Sequence, residues 1–131
     1  MERISKSEFA DVFKSRTKQF VIDNIALFRL LPKTEEAKII GKQLLRSSSS
    51  VGANYKAACR ARSKAEFYSK LSIVVEEADE SAFWLEVLVE SQILKILHVE
   101  RLLKEANEIL KVVASARKTV SVNNKKLFII Q

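Results

Sequence analysis

Residues 76–80 read Glu-Glu-Ala-Asp-Glu, a dense group of carboxylates. On a helix, Glu76 and Glu80 share a face, as carboxylates do in a helical metal site. A di-iron bundle also needs a Glu-x-x-His from each of two helices, and His98 is the single histidine. No metal is therefore expected, and the cluster reads as a solvated or ion-paired face. Cys59 stands among alanines with no nearby histidine to activate a thiolate, so it reads as a buried small apolar residue. The serines at 47–50 lack a base. Gly41 and Gly52 make neither a phosphate loop nor a dinucleotide fingerprint. No catalytic residue and no cofactor is expected, and the chain reads as a non-enzyme.

The basic residues are more regular. Lys38, Lys42 and Arg46 lie four apart on one helical stripe, and Arg60 falls close to Arg46 in helical phase. Residues 35–62 carry six Lys or Arg against two Glu, whereas residues 63–94 carry two Lys against seven Asp or Glu. A basic segment is thus followed by an acidic one. Two readings stay open: the basic stripe faces outward to bind an anion, or it pairs with its acidic neighbour and sets register. The net charge of +7 is compatible with nucleic acid or anionic lipid as a partner.

These residues need elements to position them. The chain has 131 residues, 47% hydrophobic, with only two Gly and one Pro. That supports one folded domain of helices joined by few, short links. A first helix is expected from about Asp11 or Ser15 to Leu31, with residues 1–10 frayed. Its apolar stripe takes in Phe13, Phe20, Val21, Ile25, Leu27, Phe28 and Leu31. Pro32 stops it, and Thr34 caps a second helix with Glu35 and Glu36 at its positive end.

The second helix runs from Glu35 to about Arg62. Ile40, Leu44, Ser47, Val51, Asn54 or Tyr55, and Ala58 keep one phase straight through the serine run, so that run is expected to be helical. Gly52 in a helix interior costs roughly 0.5–1 kcal/mol, a loss that close approach of a neighbouring backbone can offset. Ser63 and Glu66 form a capping-box pattern for a third helix. Its stripe is Phe67, Leu71, Val74, Ala78, Ser81, Leu85 and Leu88, and its end falls within residues 90–98. A fourth helix carries Ile96, Val99, Leu103, Ala106, Leu110 and Val113 and fades over 115–124. The tail at 122–131 is expected to be disordered or docked on a neighbour. The fold class expected is all-α, an antiparallel up-down four-helix bundle.

Ile73, Phe83, Trp84 and Val87 lie beside the third helix's core stripe. A second apolar stripe points to a partner surface, here a homo-oligomer interface. One cysteine forms no intramolecular disulfide and fits a reducing cytoplasm. The first residues lack an apolar signal core, and no run is long and apolar enough to span a membrane.

"QLLRSSSSVGANYKAACRARSKAEF" at 43–67, "KLSIVVEEADESAFWLEVL" at 70–88 and "KEANEILKVVASARKT" at 104–119 resemble the bacterial four-helix bundle family. "RTKQF" at 16–20 and "LPKTEE" at 31–36 extend the likeness over most of residues 11–120. It is also called the 23S ribosomal RNA intervening-sequence protein family. Some members are encoded within insertions in 23S rRNA genes, without being established ribosome components. The fold is similar to that of the accessory variability determinant of diversity-generating retroelements, a homopentamer whose basic surface engages nucleic acid and a reverse transcriptase. The resemblance implies a pentamer and a nucleic-acid surface at Arg16, Lys38, Arg46, Arg60, Arg62 and Lys64, to which the stripe adds Lys42. The acidic third helix departs from a plain nucleic-acid binder. The expected function is a non-enzymatic, oligomeric bundle that binds RNA or DNA. The alternative is a scaffold for protein partners whose basic helix pairs with its own acidic helix.

Overall fold

Ser5 opens the first helix. Its hydroxyl accepts from the Glu8 amide at 3.1 Å, and the Glu8 carboxylate accepts from the Ser5 amide at 3.1 Å. This capping box starts α1 at Lys6, five residues before the expected Asp11, and α1 runs Lys6–Phe28. The structure, a computed structural model, describes residues 5–130, with side chains described to residue 121. Residues 1–4 of the expected frayed segment, and the side chains of the 122–131 tail, lie outside that range.

Three more helices follow: α2 (Glu35–Cys59), α3 (Lys64–Glu90) and α4 (Ile96–Ile130). No strand occurs among the described residues. α1 ends three residues before the expected Leu31. Pro32 bars helix at its predecessor, and Leu30 and Leu31 close i→i−3 turns onto Leu27 and Phe28. α2 likewise ends at Cys59, because Arg60 and Ala61 bond back three residues and Ser63 is extended as the next N-cap. Glu66 does not complete the expected box; its carboxylate accepts from the Arg62 amide at 3.2 Å. α4 is continuous to Ile130 and does not fade at 115–124. Between α3 and α4, Gln92 takes a left-handed conformation at φ 65°.

Cross-helix contacts fix the directions. Thr17 lies near Gly52 and Phe28 near Gly41, so α1 and α2 are antiparallel. Arg16 meets Glu105 and Asp23 meets Arg101, so α1 and α4 are antiparallel as well. Each helix packs on the next, and α1 closes only lightly on α4. The result is a four-helix bundle.

The α3 stripe is buried as expected from Leu71 to Leu88, with Ala82 added and Phe67 only packed against the edge. In α2 the seam is Ala37, Gly41, Leu44, Ser47, Ser48, Val51, Tyr55 and Ala58. The serine run is helical throughout, and Ser47 and Ser48 are fully buried. Ser47 and Ser81 hydroxyl oxygens stand 2.9 Å apart between α2 and α3. A methyl on Gly52 would lie 2.7 Å from Val21 Cγ2, so the glycine lets α1 approach α2 closely. In α4 the buried seam is Val99, Leu102, Ala106, Ile109 and Val113, while Ile96 is half exposed.

In α1 the buried seam is Phe13, Thr17, Phe20, Asn24 and Leu27. Two polar residues therefore occupy places the apolar stripe did not include, and Ile25 is exposed. Val21 and Phe28 instead turn toward the two glycines of α2.

Candidate nucleic-acid interface

The basic residues separate into pinned and open groups. Arg46 of α2 leans toward α3. One guanidinium nitrogen lies 3.2 Å from Glu77, the other pairs with Glu80, and Nε donates to Gln43 at 3.3 Å. Arg16 of α1 makes a two-pronged pair with Glu105 of α4 at 2.6 and 2.8 Å. Its guanidinium is raised above the usual Arg range, chiefly by the hydrogen bond to Glu105, against partial desolvation. It also lies 5.9 Å from the Phe13 ring centre. Both arginines are thus tied to carboxylates across helix seams.

Arg60 and Arg62 lie elsewhere. Arg60 caps α2, and both residues line a cleft between α2 and α3 with Lys56, Lys70, Ala53 and Ala57. The single carboxylate in this lining is Glu66. A second cleft, between α1 and α2, shares Ala53, Lys56 and Arg60 and adds Lys14 and Lys18. Val21, Ile22, Ser49 and Gly52 also line it. The two clefts form one basic surface around the C-terminal half of α2. Lys14 is paired with Asp11 at 3.6 Å; Lys18, Lys56, Arg60, Arg62 and Lys70 make no ion pair among the described residues.

Lys38 and Lys42 are exposed further along α2. Lys38 to Lys56 and Lys42 to Arg60 are each about five helical turns, so they share the phase of the cleft. Arg46 belongs to the next phase round, toward α3. Lys64, the first residue of α3, borders a smaller hollow beside Arg62.

Sequence reasoning missed Lys14, Lys18, Lys56 and Lys70. The signal was present for Lys56, five turns after Lys38, and for Lys14 and Lys18, one turn apart. What was missing was the register that brings three helices together.

The other candidates resolve as follows. Glu77 and Glu80 hold Arg46, while Glu76 and Asp79 are exposed. No group of three His, Cys, Asp or Glu is placed to hold a metal among the described residues. His98 is exposed. Cys59 is exposed, not buried as expected, because it is the last residue of α2 and lies one step past the seam at Ala58. Trp84 packs against the core and donates its indole N–H to Glu80 at 3.1 Å. Phe83 is 52% exposed and meets Trp84 edge-on at 4.9 Å. Ile73 and Val87 are half-buried beside them.

A family model described as 23S rRNA-intervening sequence protein matches residues 11–115. The chain belongs to that family. Among solved structures, it is similar to a protein of unknown function from the S23 ribosomal protein family of Bacteroides thetaiotaomicron. Identity is 32% over 83% of this chain and 97% of that one, with a TM-score of 0.77. A comparison with curated proteins finds no significant match. No helix among the described residues is long and apolar enough to cross a membrane.

Proposed function

We propose that the chain binds RNA or DNA, without enzymatic activity, through the basic surface around the C-terminal half of α2. The observation that carries this reading is the double cleft. Its cations come from three helices, and its lining holds one carboxylate. A phosphate backbone entering the clefts meets ammonium and guanidinium groups that displace its condensed counterions. The cleft lining contains no aromatic side chain on which bases stack, so binding depends little on base identity. The family's rRNA-linked name agrees with such a polyanion. The proposed setting is the cytoplasm, with the chain as a homo-oligomer joined through the exposed side of α3 around Phe83 and Trp84.

The second reading, a protein-interaction scaffold, draws support from Arg46 and Arg16, which are tied into the bundle. Fluorescence anisotropy with labelled random 20-mers of RNA and DNA distinguishes the two. Affinity should fall by roughly a thousandfold between about 50 and 200 mM salt. The K56E/R60E double variant should lose it while keeping its helix content. Absence of binding by the wild-type chain at about 50 mM salt favours the scaffold and ends the nucleic-acid reading.

A further inference from the structure

The start of α1, the end of α2, the start of α3 and the later turns of α4 line a half-open cavity of about 650 Å³ at one end of the bundle. That size lies within the roughly 300–1,000 Å³ range of small-molecule sites. It is separate from the basic clefts and from the carboxylate cluster of α3. Its accessible walls are largely apolar, with Phe9, Phe67 and Val112 among them. No Asp or Glu lines it, and its only charged lining residue is Lys6. Tyr55 also lines it, beside Cys59, and adds a phenolic donor in an otherwise apolar wall. The Ser5 and Thr119 hydroxyls in the same lining are engaged, with the Glu8 amide and the Ser115 carbonyl.

We propose that this cavity is a binding site for an amphipathic carboxylate, with its acyl chain against Phe9, Phe67 and Val112 and its carboxylate on Lys6. An apolar chain gains by leaving water for these walls. A polar head buried without a partner is penalised, so it stays at the cationic residue. The sign of the head group follows from the charges present. Lys6 is in the lining, and Arg62 and Lys64 border an adjoining hollow that shares Ala61 and Phe67 with the cavity. An amine head would meet only like charge.

The test is calorimetric titration of the full chain with sodium decanoate below its micelle concentration, with decanol and decylamine as comparisons. Decanoate should bind saturably at one site per chain and raise the melting temperature. Decylamine should bind at least tenfold more weakly. Lys6→Glu should weaken decanoate at least fivefold and leave decanol unchanged. Ala116→Trp, which fills the cavity from α4, should abolish decanoate binding; if that variant does not fold, Ala61→Trp at the rim takes its place. The proposal is overturned if decanoate gives no saturable binding, if the tryptophan variant binds it as the wild type does, or if decylamine binds equally well.

Discussion

Gly52 of α2 and Val21 of α1 face each other with no room for a methyl group between them: a Cβ on Gly52 would lie 2.7 Å from Val21 Cγ2 and 3.4 Å from the Thr17 carbonyl oxygen. Propensity alone says that Gly52→Ala should stabilise α2 by about 1 kcal/mol. Overpacking opposes it, and valine has no flexible end to move aside. Gly52→Ala should therefore lower stability by about 1–2 kcal/mol, read as a lower denaturation midpoint in urea. A raised midpoint contradicts close packing here.

Arg46 clamps α2 to α3. Its side chain is 49% exposed, so the pair with Glu77 and Glu80 contributes modestly, about 0.5–1 kcal/mol. Arg46→Ala should cost that much in thermal unfolding and leave RNA and DNA binding within about twofold, whereas K56E/R60E should do the reverse. Loss of binding in Arg46→Ala without loss of stability would return Arg46 to the binding surface.

Asn24 is fully buried; its amide nitrogen donates to the Phe20 carbonyl at 2.8 Å, and its Oδ1 has no partner. An unpaired buried acceptor costs about 1–3 kcal/mol. Asn24→Leu removes the unpaired oxygen and restores an apolar residue to the α1 seam. A gain of about 1–2 kcal/mol is expected. A loss in the urea midpoint would show that Oδ1 has a partner in solution.

Gln92 holds φ at 65°, a conformation that costs a non-glycine residue roughly 1 kcal/mol. It stands just past the end of α3, where glycine is the common choice. Gln92→Gly should raise stability by about 0.5–1 kcal/mol, and Gln92→Val should lower it. Equal melting temperatures for both variants would count against the left-handed link.

Burial is the main influence on the Tyr55 phenol, with Cys59 adding to it, and its pKa is pushed well above the ordinary value. The unfolded chain ionises this group near pH 10, while the folded chain keeps it protonated. Below that pH both states hold the proton and stability does not depend on it. Above it, the unfolded state is favoured progressively until the folded pKa is passed. Stability curves for wild type and Tyr55→Phe should run parallel below about pH 10 and then diverge, with the wild type falling faster. Parallel curves up to about pH 11.5 would remove the shift.

Much of the bundle was legible in the residues themselves. The stripe of α3 from Leu71 to Leu88 is apolar at every third or fourth step, and burial follows it. The helical serine run was legible because Leu44, Ser47, Val51 and Ala58 keep phase through it. The seam of α1 was not, because Thr17 and Asn24 are polar types at core positions and a hydropathy pattern passes over them. The basic surface was half visible. Spacing within α2 marks Lys38, Lys42 and Arg60, yet only the pairing of α2 with α3 shows that Arg46 is spent on Glu77 and Glu80. Lys14, Lys18 and Lys70 join the surface through tertiary register, which one chain's spacing does not encode locally.

The hydroxyl pair of Ser47 and Ser81 has a mechanical consequence. A slide of α2 along α3 by one turn, about 5.4 Å, would bring Ser81 level with Leu44 or Val51. The bond between the hydroxyls would be lost, at about 0.5–1.5 kcal/mol, while Ser47 kept the Leu44 carbonyl and Ser81 the Glu77 carbonyl. The pair therefore marks the register of α2 on α3. α1 is joined to α4 through partly exposed ion pairs at Arg16 and Arg101, with only light packing besides. That seam is the most lightly packed in the bundle. A strand in the proposed cleft beside Lys18 and Arg60 would sit against α1, the helix held by that seam.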